Sequence, residues 1–295
     1  MNKPDLIPLT EADPPRENPM VWTGEEQAQG VFLDTGEALD LLGTPSLQAP
    51  PEPRLPIDFT PGPALRATLG KLRAAVHAGA AGGPGERIEA GGLDAQSRQA
   101  LEEMLGEGEV RGSVTLDGVT FTVRETVLPG LWWLRGSDDS AWLEVASIPQ
   151  VVETAAASLA PAPFPVPSQE AVSGVMNGLA VLAEINEHAS AGCDDQQRNR
   201  VLNFTLMPMS PQDQQLLIDV LGRADLALES GGFGHCRVIA TTVRHVWAVQ
   251  YVNAMGNTIL DTLEIGGVPD AVVAASQDLE DSARRLDEIL DTYLT

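Results

Sequence analysis

The sequence predicts an α+β protein: two tandem, diverged helix–antiparallel sheet–helix repeats after a mostly disordered N-terminal tail. Three observations predict it. Residues 1–60 are rich in proline and acid and poor in periodic apolar residues. Two later blocks carry related motifs in the same order. Within each block the apolar period passes from that of a helix to that of a strand and back.

The tail comes first. Residues 1–60 hold eleven Asp and Glu against Lys3, Arg16 and Arg54, with prolines throughout. Such a segment cannot bury enough apolar surface to offset about 1–2 kcal/mol of backbone entropy per residue. Pro19-Met20-Val21-Trp22 and Ala38-Leu39-Asp40-Leu41-Leu42 interrupt it. They are either residual tail structure or short motifs that fold on a partner. Leu65, Leu69, Leu72 and Val76 then step at helical spacing over 64–76. The Gly-rich run from Ala78 to Gly92 reads as a linker, so residues 1–92 form tail and linker. A second linker, 160–168, alternates proline and favours an extended connection. The repeats are thus 93–159 and 169–295.

Leu93-Asp94-Ala95-Gln96 through Leu105-Gly106 answers Met209-Ser210-Pro211-Gln212 through Leu221-Gly222. Leu131-Trp132 answers Val246-Trp247, and Leu143-Glu144 through Pro149 answers Leu263-Glu264 through Pro269. Asp94 and Ser210 are helix N-caps, with Pro211 suited to a first turn. Gly106 and Gly222 sit where those helices stop. Asp117-Gly118 predicts a tight hairpin, followed by a strand over 119–127 with Val119, Phe121, Val123 and Glu125 on one face. Gly231-Gly232-Phe233-Gly234 lies at the same point of the second block. Further strands are expected at 131–135 and 142–146, and at 246–252 and 258–265. Pro149 and Pro269 open the closing helices. The last helix carries Val272, Ala275, Leu279, Ala283, Leu286, Leu290 and Tyr293 as one stripe. A helix over about 170–188, with Val172, Val175, Met176, Leu179 and Leu182 inward, opens the second block and lacks a counterpart in the first.

Charge excludes whole classes of function. Lys and Arg total 18 against 42 Asp and Glu, a formal net charge of −24 on 295 residues. Phosphate contacts need a basic face, so neither nucleic acid nor anionic lipid is an expected partner. The N-terminus has no apolar core of a signal peptide. The most apolar window, 172–183, is shorter than the ~20 residues that span a bilayer. A soluble, cytoplasmic protein is expected, without membrane insertion. Two cysteines make no disulfide framework.

Chemistry is sparse. His188, Cys193, His235 and Cys236 lack the paired spacing of a structural zinc site, so neither metal nor cofactor is expected. Asp194 and Asp195 beside Cys193 raise its thiol pKa and make it a poor nucleophile. Gly231–Gly234 lies between strands and lacks the helix N-terminus of a nucleotide loop. No acid pair has helical spacing toward an evident cleft, so no catalytic residue is assigned and an enzyme is not expected. Two patches suit partner binding instead. Trp132 and Trp133 are adjacent on one strand and face opposite sides, so either both are core or one anchors a partner. Asn253, Met255, Gly256 and Asn257 form the second patch, whose asparagines serve either turn chemistry or a partner.

The chain resembles the hydrogenase expression/formation proteins of the HupH/HyaF type. The likeness is carried by 105–110, 125–132, Val175-Met176-Asn177-Gly178 through Ile185, Tyr251-Val252-Asn253-Ala254-Met255-Gly256-Asn257-Thr258 through Glu264, and Val268-Pro269 onward. It implies a non-catalytic cytoplasmic accessory chaperone in maturation of a membrane-bound uptake nickel–iron hydrogenase. The implied client is the iron–sulfur small subunit or its signal segment, held before twin-arginine export. Other hydrogenase accessory proteins are implied partners, and a metal or cluster carrier in the same pathway is the alternative. A −24 chain suits a basic client segment.

Overall fold

The computed structural model describes residues 60–192, 198–231, 235–253, 255 and 257–294. The expected disorder of 1–59, the patches at 19–22 and 38–42, Cys193, the 194–195 acid pair, 232–234 and Gly256 lie outside the described residues.

In chain order the elements are α1 (Pro63–Ala80), β1 (Glu86–Glu89), α2 (Ala95–Leu105), β2 (Val110–Leu116), β3 (Val119–Glu125), β4 (Leu131–Gly136), β5 (Ala141–Val145), α3 (Gln150–Ser158), α4 (Gly178–Ala191), β6 (Arg200–Asn203), α5 (Pro211–Leu221), β7 (Leu226–Ser230), β8 (His235–Ala240), β9 (Val246–Val252), β10 (Thr258–Ile265) and α6 (Ser276–Leu294). All strands described join one antiparallel sheet, ordered β1-β5-β4-β3-β2-β7-β8-β9-β10-β6. Counted outward from the β2/β7 seam, both halves read as a four-strand meander closed by a strand from before the preceding helix.

Local chemistry explains matching turns in the two halves. The Asp94 side chain accepts from the Ser97 amide and starts α2, while Ser210 and Asp213 form a capping box at α5. Gly106 and Gly222 end those helices at φ 57° and 58°, where a side chain would be strained. The Thr126 hydroxyl donates to Leu128 O, and that of Thr241 to Val243 O, both at 3.1 Å. The Val127 amide donates to Leu105 O and the Thr242 amide to Leu221 O, both at 2.9 Å. The Asp117-Gly118 hairpin is present, with φ 51° and 79°.

Three cores hold the layers together. Trp132, Leu134, Trp142, Val238, Trp247 and Val249 lie on one face of the sheet, under α3 and a 3-10 turn at Asp270–Val272. On the other face, Trp133, Leu131 and Leu143 lie under α1, α2 and α6. The same face of the second half puts Val246, Leu263 and Ile265 under α4 and α5. Arg111 and Glu229 bridge the seam at 2.6 Å, with the carboxylate buried.

The structure differs from expectation in four places. Leu65, Leu69 and Leu72 of α1 are fully buried against the first half, and β1 pairs with β5 inside the stretch read as linker. That stretch has no visible period because β1 is four residues with one buried side chain, Ile88. The helix opening the second half starts at Gly178, not near 170. Asp213 Oδ1 accepts from the amides of Met176, Asn177 and Gly178 at 2.8, 3.0 and 2.7 Å, so an external cap sets its start and Met176 stays 75% exposed. That helix also has a positional counterpart: α1 precedes β1 and α2 as α4 precedes β6 and α5. Lastly, Val272 and Ala275 precede α6, and Val272 joins the opposite core.

Candidate functional site

The β9–β10 connection spends its polar groups on its own shape. Asn253 Oδ1 accepts from the Met255 and Asn257 amides at 2.9 and 3.0 Å, and the Asn253 amide donates to Asn257 O. This side-chain mimic of a turn lifts Met255 outward, 80% exposed. Pairing between β9 and β10 shifts register between Thr258 and Leu260, and Ile259 at the irregularity is 60% exposed. The β6 ladder ends at Thr262. Beyond it the Phe204 and Thr205 amides donate to Asp261 O, bringing Leu206, 80% exposed, to the same end of β10. Met255, Ile259 and Leu206 thus give this end of the sheet an apolar rim. Asn253, Met255 and Asn257 belong to the patch singled out from the sequence; Ile259 and Leu206 were not among the residues singled out there. Leu206 lies outside every stretch that carries the resemblance and Ile259 lies inside one without being marked by it; their exposure follows from a bulge and a short edge strand.

The tryptophans are placed otherwise than an exposed anchor requires. Trp132 is fully buried and its Nε1 donates to Ala146 O at 2.8 Å. Trp133 is 4% exposed beneath α2. They do face opposite sides, but both faces of the sheet are covered, so each indole is core.

Two hollows open beside the first half. A groove of about 990 Å³ runs between the α1–β1 loop, β5 and α3. Phe121 and Trp142 meet edge to face in it, and the Arg87 guanidinium lies 3.8 Å over the Trp142 ring. Its buried Glu144 accepts from Trp142 Nε1 and from the Gln150 amide, at 3.1 and 2.6 Å. That carboxylate therefore braces the start of α3. A smaller pocket of about 210 Å³ lies where α2 ends above β3 and β4.

No nucleophile or metal centre emerges among the described residues. Burial pushes the Cys236 thiol up to about 12, against a weaker opposing contact from Tyr251, so it is a thiol at neutral pH. His188 faces Glu184 at 3.9 Å on its own helix. No group of three or more His, Cys, Asp or Glu among the described residues is placed to hold a metal ion. No described helix is long and apolar enough to cross a membrane.

Comparison with known proteins bears on this arrangement. Residues 175–293, which contain the apolar rim, match the C-terminal conserved region of the HupH hydrogenase expression protein family. The chain is 39% identical over 216 residues to the hydrogenase expression/formation protein HupH of Rhizobium leguminosarum bv. viciae, covering 71% of this chain and 75% of that one. It is 29% identical over 203 residues to the hydrogenase-1 operon protein HyaF of Escherichia coli (strain K12), covering 67% and 70%. The solved structure of the hydrogenase expression protein HupH from Thiobacillus denitrificans ATCC 25259 matches 39% of this chain and 96% of its own, at 22% identity and a TM-score of 0.36. With relatives so alike over most of its length, the chain belongs to the hydrogenase expression/formation protein family of HupH and HyaF.

Proposed function

We propose that the protein is a non-enzymatic accessory chaperone in hydrogenase maturation. It holds the iron–sulfur small subunit of a membrane-bound uptake nickel–iron hydrogenase in the cytoplasm until export through the twin-arginine route. The single observation that carries this reading is the apolar rim of Met255, Ile259 and Leu206, on a family member whose buried thiol and glutamate are committed to structure. Holding a client takes exposed apolar contacts, and these side chains offer them at one end of the sheet. The net charge of −24 draws a basic client segment at long range, an attraction that salt screens over about 8 Å.

The experiment is capture of the small subunit by tagged protein in hydrogenase-expressing cells. Met255→Asp with Ile259→Asp is expected to reduce capture at least about tenfold, since burying either charge against an apolar client is unfavourable. Undiminished capture by that variant, with its melting temperature unchanged, removes the rim from the account.

The division into units 93–159 and 169–295, diverged copies of one repeat, is part of the same proposal. The matched caps, threonine turns and strand order support it, and α1 and β1 complete the first copy. Only the second copy has the rim, so duplication followed by specialisation of one half accounts for the arrangement.

A further inference from the structure

A row of polar side chains crosses the sheet, and part of it has nothing to bind. Strand register sets Arg111, Glu229, Arg237, Gln250 and Asp261 side by side on β2, β7, β8, β9 and β10. By alternation they share the face that carries Val246 and Leu263. Arg111 donates its Nε–H to Glu229 at 2.6 Å, so that pair is closed. The next two members are open. Arg237 Nε and both amide atoms of Gln250 are buried without a hydrogen-bond partner. So is Nδ1 of His235, two residues before Arg237 on the same face. Most of the unpartnered buried side-chain atoms among the described residues thus gather on two neighbouring strands. Gln250 is only 1% exposed, and each buried polar group left unpaired costs about 1–3 kcal/mol. Directly opposed residues hold their Cβ atoms about 4.5–5.5 Å apart, so the Gln250 amide lies within a side chain's length of the Arg237 guanidinium. Arg237 and His235 are part-exposed, so the set reaches solvent on its β8 side.

The missing group can be read from those present. Arg237 Nε–H and the Gln250 NH₂ lack an acceptor, and Gln250 Oε1 lacks a donor. The formal charges of the row already balance, Arg111 and Arg237 against Glu229 and Asp261, so a charged ligand would be buried uncompensated. The complement is a neutral group with a carbonyl oxygen and an N–H on the same side. We propose that Arg237 and Gln250 bind a primary carboxamide, either an asparagine or glutamine side chain of a peptide or a small free amide. It pairs with the Gln250 carboxamide through two hydrogen bonds, and its carbonyl accepts a third from Arg237. This site goes beyond the chaperone reading and does not rest on it.

The test uses ¹⁵N-labelled full-length protein, with the Arg237 Nε–H resonance assigned from Arg237→Lys and the Gln250 NH₂ pair from Gln250→Met. The probes are propionamide, N,N-dimethylpropionamide, which keeps the carbonyl and loses the N–H, and propionate, which adds charge. Both resonances are expected to shift with propionamide, and at least about fivefold less with the other two at equal concentration. Gln250→Met should abolish the Arg237 shift and leave the melting temperature unchanged or raised, since an apolar group of similar shape replaces an unpaired one. Equal shifts with all three probes, or none with propionamide, overturn the site. A melting temperature lowered by Gln250→Met also overturns it, because the amide is then held by buried water as part of the fold. With the site upheld, a stronger response to Nα-acetyl-glutamine N-methylamide than to propionamide identifies a peptide side chain as the source. A weaker one identifies a small amide. A chain that responds to propionamide and captures no small subunit loses the chaperone reading and keeps this site.

Discussion

Two carboxylates show how much a single residue can decide here. Asp213 is fully buried. Burial opposes its ionisation, but the Ser210, Gly178 and Met176 amides and the Ser210 hydroxyl outweigh that and hold its pKa below the ordinary value. One oxygen caps α4 and the other closes the capping box of α5. Asp213→Ala leaves several amides unpaired, with an expected cost of about 3 kcal/mol in chemical denaturation. Because its pKa is depressed, its contribution is present above the unfolded value and is lost as pH falls through the folded one. Glu125 behaves in the opposite sense. Burial, with Glu109 and Asp278 adding to it, raises its pKa to about 7 against the hydrogen bond from the Gly130 amide. Its neutral form stabilises the fold fully below the unfolded pKa, and that stability is lost as pH rises through about 7. The change amounts to roughly 3 kcal/mol between pH 4.5 and 7, and Glu125→Gln should flatten this part of the stability–pH curve. A curve of unchanged slope in that variant would place the titration elsewhere.

At the scale of elements, legibility followed periodicity. The caps at Asp94 and Ser210, the Asp117-Gly118 hairpin and the β9 and β10 spans were readable because each has a local cause. The edge strands β1 and β6 were not, since four residues carry too little alternation to register. The start of α4 was misread because its cap arrives from Asp213, some thirty-five residues away. Burial of Trp133 was left open by alternation, which says that neighbours face opposite sides but not what covers each side. The rim residues Ile259 and Leu206 depend on a bulge and a strand end, both tertiary outcomes. Helix α6 illustrates a partly legible case. Its stripe of Leu279, Ala283, Leu286 and Leu290 was visible, but not that it covers the first half of the sheet beside α1. Asp287 of α6 meets Arg73 and His77 of α1 at 2.7 and 3.0 Å. Leu286 is fully buried there, so Leu286→Ala should cost about 2–5 kcal/mol and loosen the first half of the sheet before the second. Hydrogen exchange that rises uniformly over both halves would contradict that order.

The whole molecule joins two halves through a continuous sheet, so each half gives the other a rigid edge. Gly112 at the seam shows how close that junction is, since a Cβ there would strike the Ala227 carbonyl and the Leu228 side chain. In the proposed function the −24 charge would supply long-range attraction to a basic client, while Met255, Ile259 and Leu206 would supply apolar contact. These terms separate with ionic strength: charge steers arrival and is screened, whereas apolar contact is not. The most direct measurement is therefore small-subunit capture by the tagged full-length protein, wild type beside Met255→Asp/Ile259→Asp, across a salt series. The account predicts that wild-type capture weakens with salt but persists, and that the double variant captures little at any salt. Absence of the small subunit from wild-type captures at every salt concentration would contradict it.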